Sequence, residues 1–246
     1  MKTVKFYSVL LIALLFSACE IDNYDEADGI ISGTVIDKTT REGLQTEQPN
    51  GFLIYCREDS WTGSEEKRGQ DFWGKADGTF HNIRIFKGSY SVRPQDGAFH
   101  TVDTKPVEIR SKSEAKVDFE VTPYCSFSDV DIRKDPTNAE RIIATFTIHT
   151  HAVLPDEPAT FKDYRLLATN RTPYVGNNVY DEDVSTAITK LTAAQKTEMD
   201  ASGVVSITVS KSGFKAGKTY YIRVAARCDE SPQARYNMTK VVMLTF

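Results

Sequence analysis

The stretch AKVDFEV, residues 115–121, alternates apolar and charged side chains one by one. Successive side chains of a strand point to opposite faces, so Val117, Phe119 and Val121 face a core while Lys116, Asp118 and Glu120 face water. From Gly29 onward the chain keeps to this grammar. IISGTVID, GFLIYCRE, SYSVRP, SDVDIRKD, ERIIATFTIHT and GVVSITVS are strand-like runs divided by polar or glycine-bearing turns. Asp77-Gly78 is a strong turn dipeptide between two such runs, and Lys87-Gly88 marks the next reversal. The pattern predicts an all-β fold: two consecutive β-sandwich domains with one short helix in the second. The helix is signalled by Thr192 and Gln195 at capping-box spacing, by good helix formers from Ala193 to Met199, and by Gly203 as a stop. Thr122-Pro123 closes the first set of strands, since proline cannot donate to a ladder. The expected domains therefore span residues 29–122 and 123–246.

Ahead of them, two lysines within Met1–Lys5 precede an apolar run from Val9 to Phe16, then Ser17, Ala18 and Cys19. A basic start, a short apolar centre and small residues predict a secretory leader over residues 1–18. The apolar run is far below the roughly 20 residues that a membrane-spanning helix needs. Glu20, Asp22, Asp25, Glu26 and Asp28 then crowd residues 19–28, a tether without apolar periodicity. The Ser-Ala-Cys junction resembles the bacterial lipobox, which implies a lipid on the Cys19 thiol and an outer-membrane anchor; Phe16 stands where that family usually has an aliphatic residue. The alternative is an ordinary leader with an incidental cysteine. Acidic residues just after the lipid-bearing cysteine resemble the signal that sends Bacteroidetes lipoproteins to the cell surface, so surface exposure is the expected location.

About 228 residues remain after the leader, enough for one large or two ordinary domains. A net charge of −4 gives no basic footprint for nucleic acid. Beyond Cys19 stand Cys56, Cys125 and Cys228. Three is odd, so at most one disulfide forms among them and the pairing stays open.

Two resemblances add to this reading. ISGTVIDKTTREGL followed by DGTFHNIRIFKGSYSV is similar to the carboxypeptidase-regulatory or transthyretin-like sandwich, with its G-x-V-x-D strand and its G-x-F and G-x-Y pair. FKAGKTYYIRVAARC resembles the fibronectin type III or immunoglobulin-like sandwich near its tyrosine corner, where Tyr220 or Tyr221 would tie its strand to the preceding turn. The order of lipid cysteine, acidic tether and two such modules resembles uncharacterised Bacteroidetes surface lipoproteins of polysaccharide-utilisation systems. That resemblance implies a non-enzymatic binding or accessory role beside an outer-membrane transporter, with a polysaccharide as the possible ligand and no cofactor. The alternative is a structural or adhesive surface protein without a small-molecule ligand.

No G-x-S-x-G elbow, H-E-x-x-H or phosphate loop occurs. Glu65-Glu66 and Asp181-Glu182-Asp183 lie in polar, turn-like stretches, whereas a glycosidase needs one acid of raised pKa and a partner across a cleft. His149 and His151 share a strand face, but two imidazoles fall short of the three or four ligands zinc takes. Neither catalysis nor a metal is expected. The aromatic residues are the remaining lead. Trp61 and Trp73 flank the polar segment TGSEEKRGQ, while Tyr174 and Tyr180 lie in RTPYVGNNVYDED. Sugar rings present flat C–H faces to such side chains, with neighbouring Asn, Asp and Arg serving the hydroxyls. Trp61, Trp73, Tyr174 and Tyr180 are the candidate ligand-binding residues.

Overall fold

Strand β1 (Gly29–Asp37) organises the first half of the chain in the computed structural model, which describes residues 26–61, 69–152 and 159–246. It pairs antiparallel with β4 (Thr79–Ile85) on one side. On the other it pairs in parallel with β7 (Glu114–Lys116) and β8 (Phe119–Val121). The AKVDFEV run is thus held in two pieces. Between them the Asp118 carboxylate, in place of a main-chain carbonyl, accepts from the Thr34 N–H at 2.8 Å. Phe119 and Val121 are buried as the alternation predicts, while Val117 is only half-buried. Gly33 is required where these strands meet, because a Cβ there would fall 1.8 Å from the Val117 carbonyl oxygen.

The facing sheet has the order β3 (Phe72–Trp73), β2 (Leu53–Glu58), β5 (Gly88–Gln95), β6 (Lys105–Ile109), antiparallel throughout. Ile31, Val35, Phe80 and Phe119 from the β1 sheet meet Ile54, Cys56, Tyr90 and Val92 from this one in a single core. The turn at Asp77-Gly78 is fixed by the Asp77 carboxylate, which accepts from both the N–H and the hydroxyl of Thr79.

A second core lies between two further sheets. One is β12 (Val204–Ser212), β10 (Asn138–Thr150), β9 (Cys125–Asp135); the other is built on β13 (Thr219–Cys228), flanked by β11 (Phe161–Thr169), β14 (Asn237–Met238) and β15 (Val242–Thr245). Phe146 and Ile148 point into it while Thr145 and Thr147 bond across the wet face to Thr208 and Ser206. Helix α1 (Ala193–Ser202) has the capping box at Thr192 and Gln195, ends at left-handed Gly203, and buries Met199. The Tyr220 hydroxyl accepts from the Lys215 N–H at 3.2 Å, tying β13 to the turn before it. The fold is all-β with one short helix.

The β11–β13 sheet is buried on both faces. Its outer face is covered by a small cluster of Leu167, Val175, Ala225, Tyr236 and Met238, and by the first half of the chain. Arg223 on that face donates to the carbonyls of Thr46 (2.8 Å), Thr239 (2.8 Å) and Val175 (3.3 Å). Asn237 reaches the Ala98 carbonyl at 2.8 Å, and at the exposed rim Lys240 pairs with Glu42 at 2.7 Å. The two sandwiches therefore meet over a buried polar junction. Its charges are held at some cost: burial pushes the Glu47 carboxyl up and the Arg223 guanidinium down to about 9, although each favours the charged form of the other.

Candidate functional site

Alternation along β2 decides where the site lies. Ile54 and Cys56 enter the core, so Leu53, Tyr55 and Arg57 stand on the outer face of their sheet. Register sets β5 beside them, with Arg93 opposite Tyr55 and Gln95 opposite Leu53. On the other flank β3 places Trp73 opposite Leu53, with 40% of its surface exposed. Tyr55 is bracketed by cations. The Arg57 guanidinium donates to its hydroxyl at 3.2 Å, and that of Arg93 lies 5.5 Å from its ring centre. Among the described residues neither arginine forms an ion pair, and the buried Nε of each has no hydrogen-bond partner. With no carboxylate pairing them among the described residues, the outer guanidinium nitrogens of Arg57 and Arg93 suit a ligand with acceptor oxygens.

Trp73 is backed from the other sandwich. Gln233 and Ala234 both adopt the left-handed conformation, with φ of 49° and 59°. For residues with a Cβ this costs roughly 1–2 kcal/mol each, and such strain tends to collect where a side chain must be aimed. Here it delivers Arg235, whose guanidinium carbon sits 5.3 Å from the Trp73 ring centre. Arg235 is itself buried, with Nη2 donating to Gln233 at 2.9 Å and Nη1 at 3.8 Å from Glu47. Glu47 also accepts from the Asn177 N–H at 2.9 Å, which ties the loop carrying Tyr174 into the same junction.

A cavity of about 250 Å³ adjoins this face, lined by Arg93, Gln95, Thr101, Tyr124 and Glu230 among others. A second one, of about 290 Å³, lies elsewhere between the sandwiches and includes Asp37, Leu44, Phe127, Met238 and Lys240. The larger cavity is the weaker candidate on chemical grounds. It has no tryptophan or tyrosine wall, and its lysine is engaged with Glu42. The smaller one shares Arg93 and Gln95 with an aromatic platform.

The residues singled out from sequence fall in different places. Trp73 is part of the face. Trp61, 46% exposed, lies three residues beyond the end of β2, whereas Trp73 pairs with the first residue of that strand, so β2 separates the two tryptophans. Tyr174 is exposed on the loop above the junction. Tyr180 packs into the small cluster beneath the Arg165 guanidinium, 4.3 Å from its ring. Cys19 lies outside the described residues. His149 and His151 bond to the hydroxyls of Ser128 (2.8 Å) and Ser126 (2.7 Å), and burial lowers the pKa of His151. Among the described residues no group of three or more His, Cys, Asp or Glu is placed to hold a metal ion. Tyr55, Arg57, Arg93 and Arg235 were not anticipated. For the first two the signal was present, since Tyr55 and Arg57 alternate against Ile54 and Cys56 in GFLIYCRE.

No protein-family model matches the chain, and no curated protein matches it. Solved structures do. One from Bacteroides uniformis, described as a candidate carbohydrate-binding protein, superposes with a TM-score of 0.68 at 24% identity, covering 89% of this chain and 99% of that one. A DUF3823 family protein, also from Bacteroides uniformis, gives 0.68 at 22%, again over 89% and 99%. Another from Parabacteroides merdae gives 0.67 at 18%, over 90% of this chain and all of that one. At these identities the likeness establishes the fold, over a length that takes in both sandwiches.

Proposed function

We propose that this protein is a non-enzymatic, saccharide-binding lipoprotein of the outer-membrane surface, anchored through Cys19 and acting as an accessory of a glycan-acquisition system. The observation that carries the reading is the exposed Trp73 ring, backed by Arg235 and set on a face with Tyr55, Arg57 and Arg93. A flat ring takes the C–H face of a sugar, and guanidinium forks without carboxylate partners serve its hydroxyl or carboxylate oxygens. The name of the Bacteroides uniformis neighbour supports this class of ligand for the shared fold. The leader, the Ser-Ala-Cys junction and the acidic tether support the location.

Affinity electrophoresis through gels containing neutral or acidic polysaccharides tests the binding. The wild-type chain should be retarded by at least one of them. Trp73→Ala should weaken that retention by about 2 kcal/mol, roughly thirtyfold, as expected of a tryptophan hot spot. Arg93→Ala should also weaken it, and Tyr174→Ala should not. Equal retardation of Trp73→Ala and wild type would remove this face from the site. For the anchor, Cys19→Ala should shift the protein from the membrane to the soluble fraction, and unchanged membrane retention would exclude lipidation there.

A further inference from the structure

Cys56, Cys125 and Cys228 are all buried and free in this structure, yet their settings differ. Cys56 lies in the first core, where no other cysteine belongs. Cys125 and Cys228 share the second core, at the first position of β9 and the last position of β13. These strands belong to the two facing sheets of that sandwich and pack on one another. The Cys228 sulfur is 3.7 Å from the carbonyl oxygen of Tyr124, the residue directly before Cys125. The neighbouring Cys228 thiol, and burial after it, raise the pKa of the Cys125 thiol well above its ordinary value.

The Cys125 N–H and thiol both turn to the Asn237 side-chain oxygen, at 3.1 and 3.5 Å, while the amide nitrogen of Asn237 donates to Ala98 of the first sandwich. The thiol pair therefore sits directly beneath the junction, against Asn237, which lies two residues along the chain from the arginine that backs Trp73.

We propose that Cys125 and Cys228 are a disulfide-forming pair, linking the two sheets of the second sandwich beneath the domain junction, and that Cys56 remains a thiol. The bond forms by exchange with a disulfide donor, either a protein thiol oxidase or oxidised glutathione. One cysteine thiolate attacks the donor disulfide and releases the first donor thiol. The second thiolate then attacks the mixed disulfide and releases the other. Two protein S–H bonds become one S–S bond, and the two electrons and two protons pass to the donor, which leaves as two thiols. Because both sulfurs are enclosed once the core has closed, the exchange belongs to folding. In the cell it rests on the export proposed above, since an oxidising compartment supplies the donor.

The test is independent of export. The full chain carrying Cys19→Ala, so that Cys56, Cys125 and Cys228 are its only cysteines, is unfolded, reduced and refolded in a mixture of reduced and oxidised glutathione. It is then unfolded without reductant, alkylated and digested. The expected outcome is one alkylated residue, Cys56, a linked peptide joining Cys125 to Cys228, and a mass about 2 Da below that of the fully reduced chain. In the Cys228→Ala variant, Cys56 and Cys125 should not be found linked. Three alkylated cysteines after refolding, or a bridge that includes Cys56, would overturn the assignment.

Discussion

The outer faces of the β11–β13 sheet and of the β2–β5 sheet are built from the same side chains, arginines set against tyrosines. On the β11–β13 face each arginine is held by acceptors or rings of the chain itself, although the Nε of Arg165 and one Nη of Arg223 are left without a partner. Arg227 makes three contacts of 2.8–3.0 Å to the Asp163 carboxylate, which also accepts from the Tyr236 hydroxyl at 3.0 Å, and Arg227 lies 4.9 Å from the Tyr236 ring. Arg165 lies over Tyr180 and donates to Asn177. That face is enclosed. On the β2–β5 face Arg57 and Arg93 bracket Tyr55 in the same way, but no carboxylate pairs with them among the described residues, and Trp73 stands open beside them. Arginine over an aromatic ring is thus a packing device where the chain encloses it and supplies its acceptors, a carboxylate for Arg227 and an amide oxygen for Arg165. Where they are missing, it leaves donors available to something outside the chain.

The largest effect that would break this contrast is on the enclosed face. Asp163→Ala removes the acceptor shared by Arg227 and Tyr236 and leaves a largely enclosed cation without its partner. Losing one member of such a pair costs about 3–5 kcal/mol, which urea unfolding monitored by tryptophan fluorescence should show as a lowered midpoint with an unchanged slope. Arg93→Ala, on the open face, should move the same midpoint by less than about 0.5 kcal/mol, as surface substitutions do. If the two variants destabilised equally, Arg93 would be a packing residue and the distinction between the faces would fail.

How far either face could be foreseen depended on whether one of its sides is wet. Strands β9, β10, β12 and β13 were legible because each carries polar residues toward solvent or junction and apolar ones toward a core. Strand β11 was not. From Asp163 to Thr169 all of its residues are buried, and the enclosed charges Asp163 and Arg165 break the alternation and the apolar run by which a strand is recognised. Their partners stand well apart along the chain, Asp163's at Arg227 and Tyr236, and no local pattern announces them. GFLIYCRE was legible as a strand, and its wet side already displayed Tyr55 and Arg57 two residues apart. Trp73 was visible as an aromatic, but the Arg235 beneath it was not. That contact depends on left-handed backbone at Gln233 and Ala234, where no glycine signals such a turn.

That turn supplies the smallest and sharpest test of the comparison. No residue of β11 or β13 has a positive φ, whereas the segment serving the open face has two in succession, neither of them glycine. If the enclosed face is built for stability and the open one for aiming a side chain, relief of strain should be available only at the second. Ala234→Gly keeps the chain path, since glycine enters the left-handed region without steric penalty. It should stabilise the fold by about 1 kcal/mol, a gain reduced by the greater freedom of glycine in the unfolded chain. Thermal unfolding should show the midpoint rising by a few degrees. Retention on a polysaccharide gel should stay the same or fall as Arg235 becomes less tightly held under Trp73. A lowered midpoint together with unchanged retention would mean that the turn is at ease as it stands, and that the aim of Arg235 is set by the Glu47 junction alone.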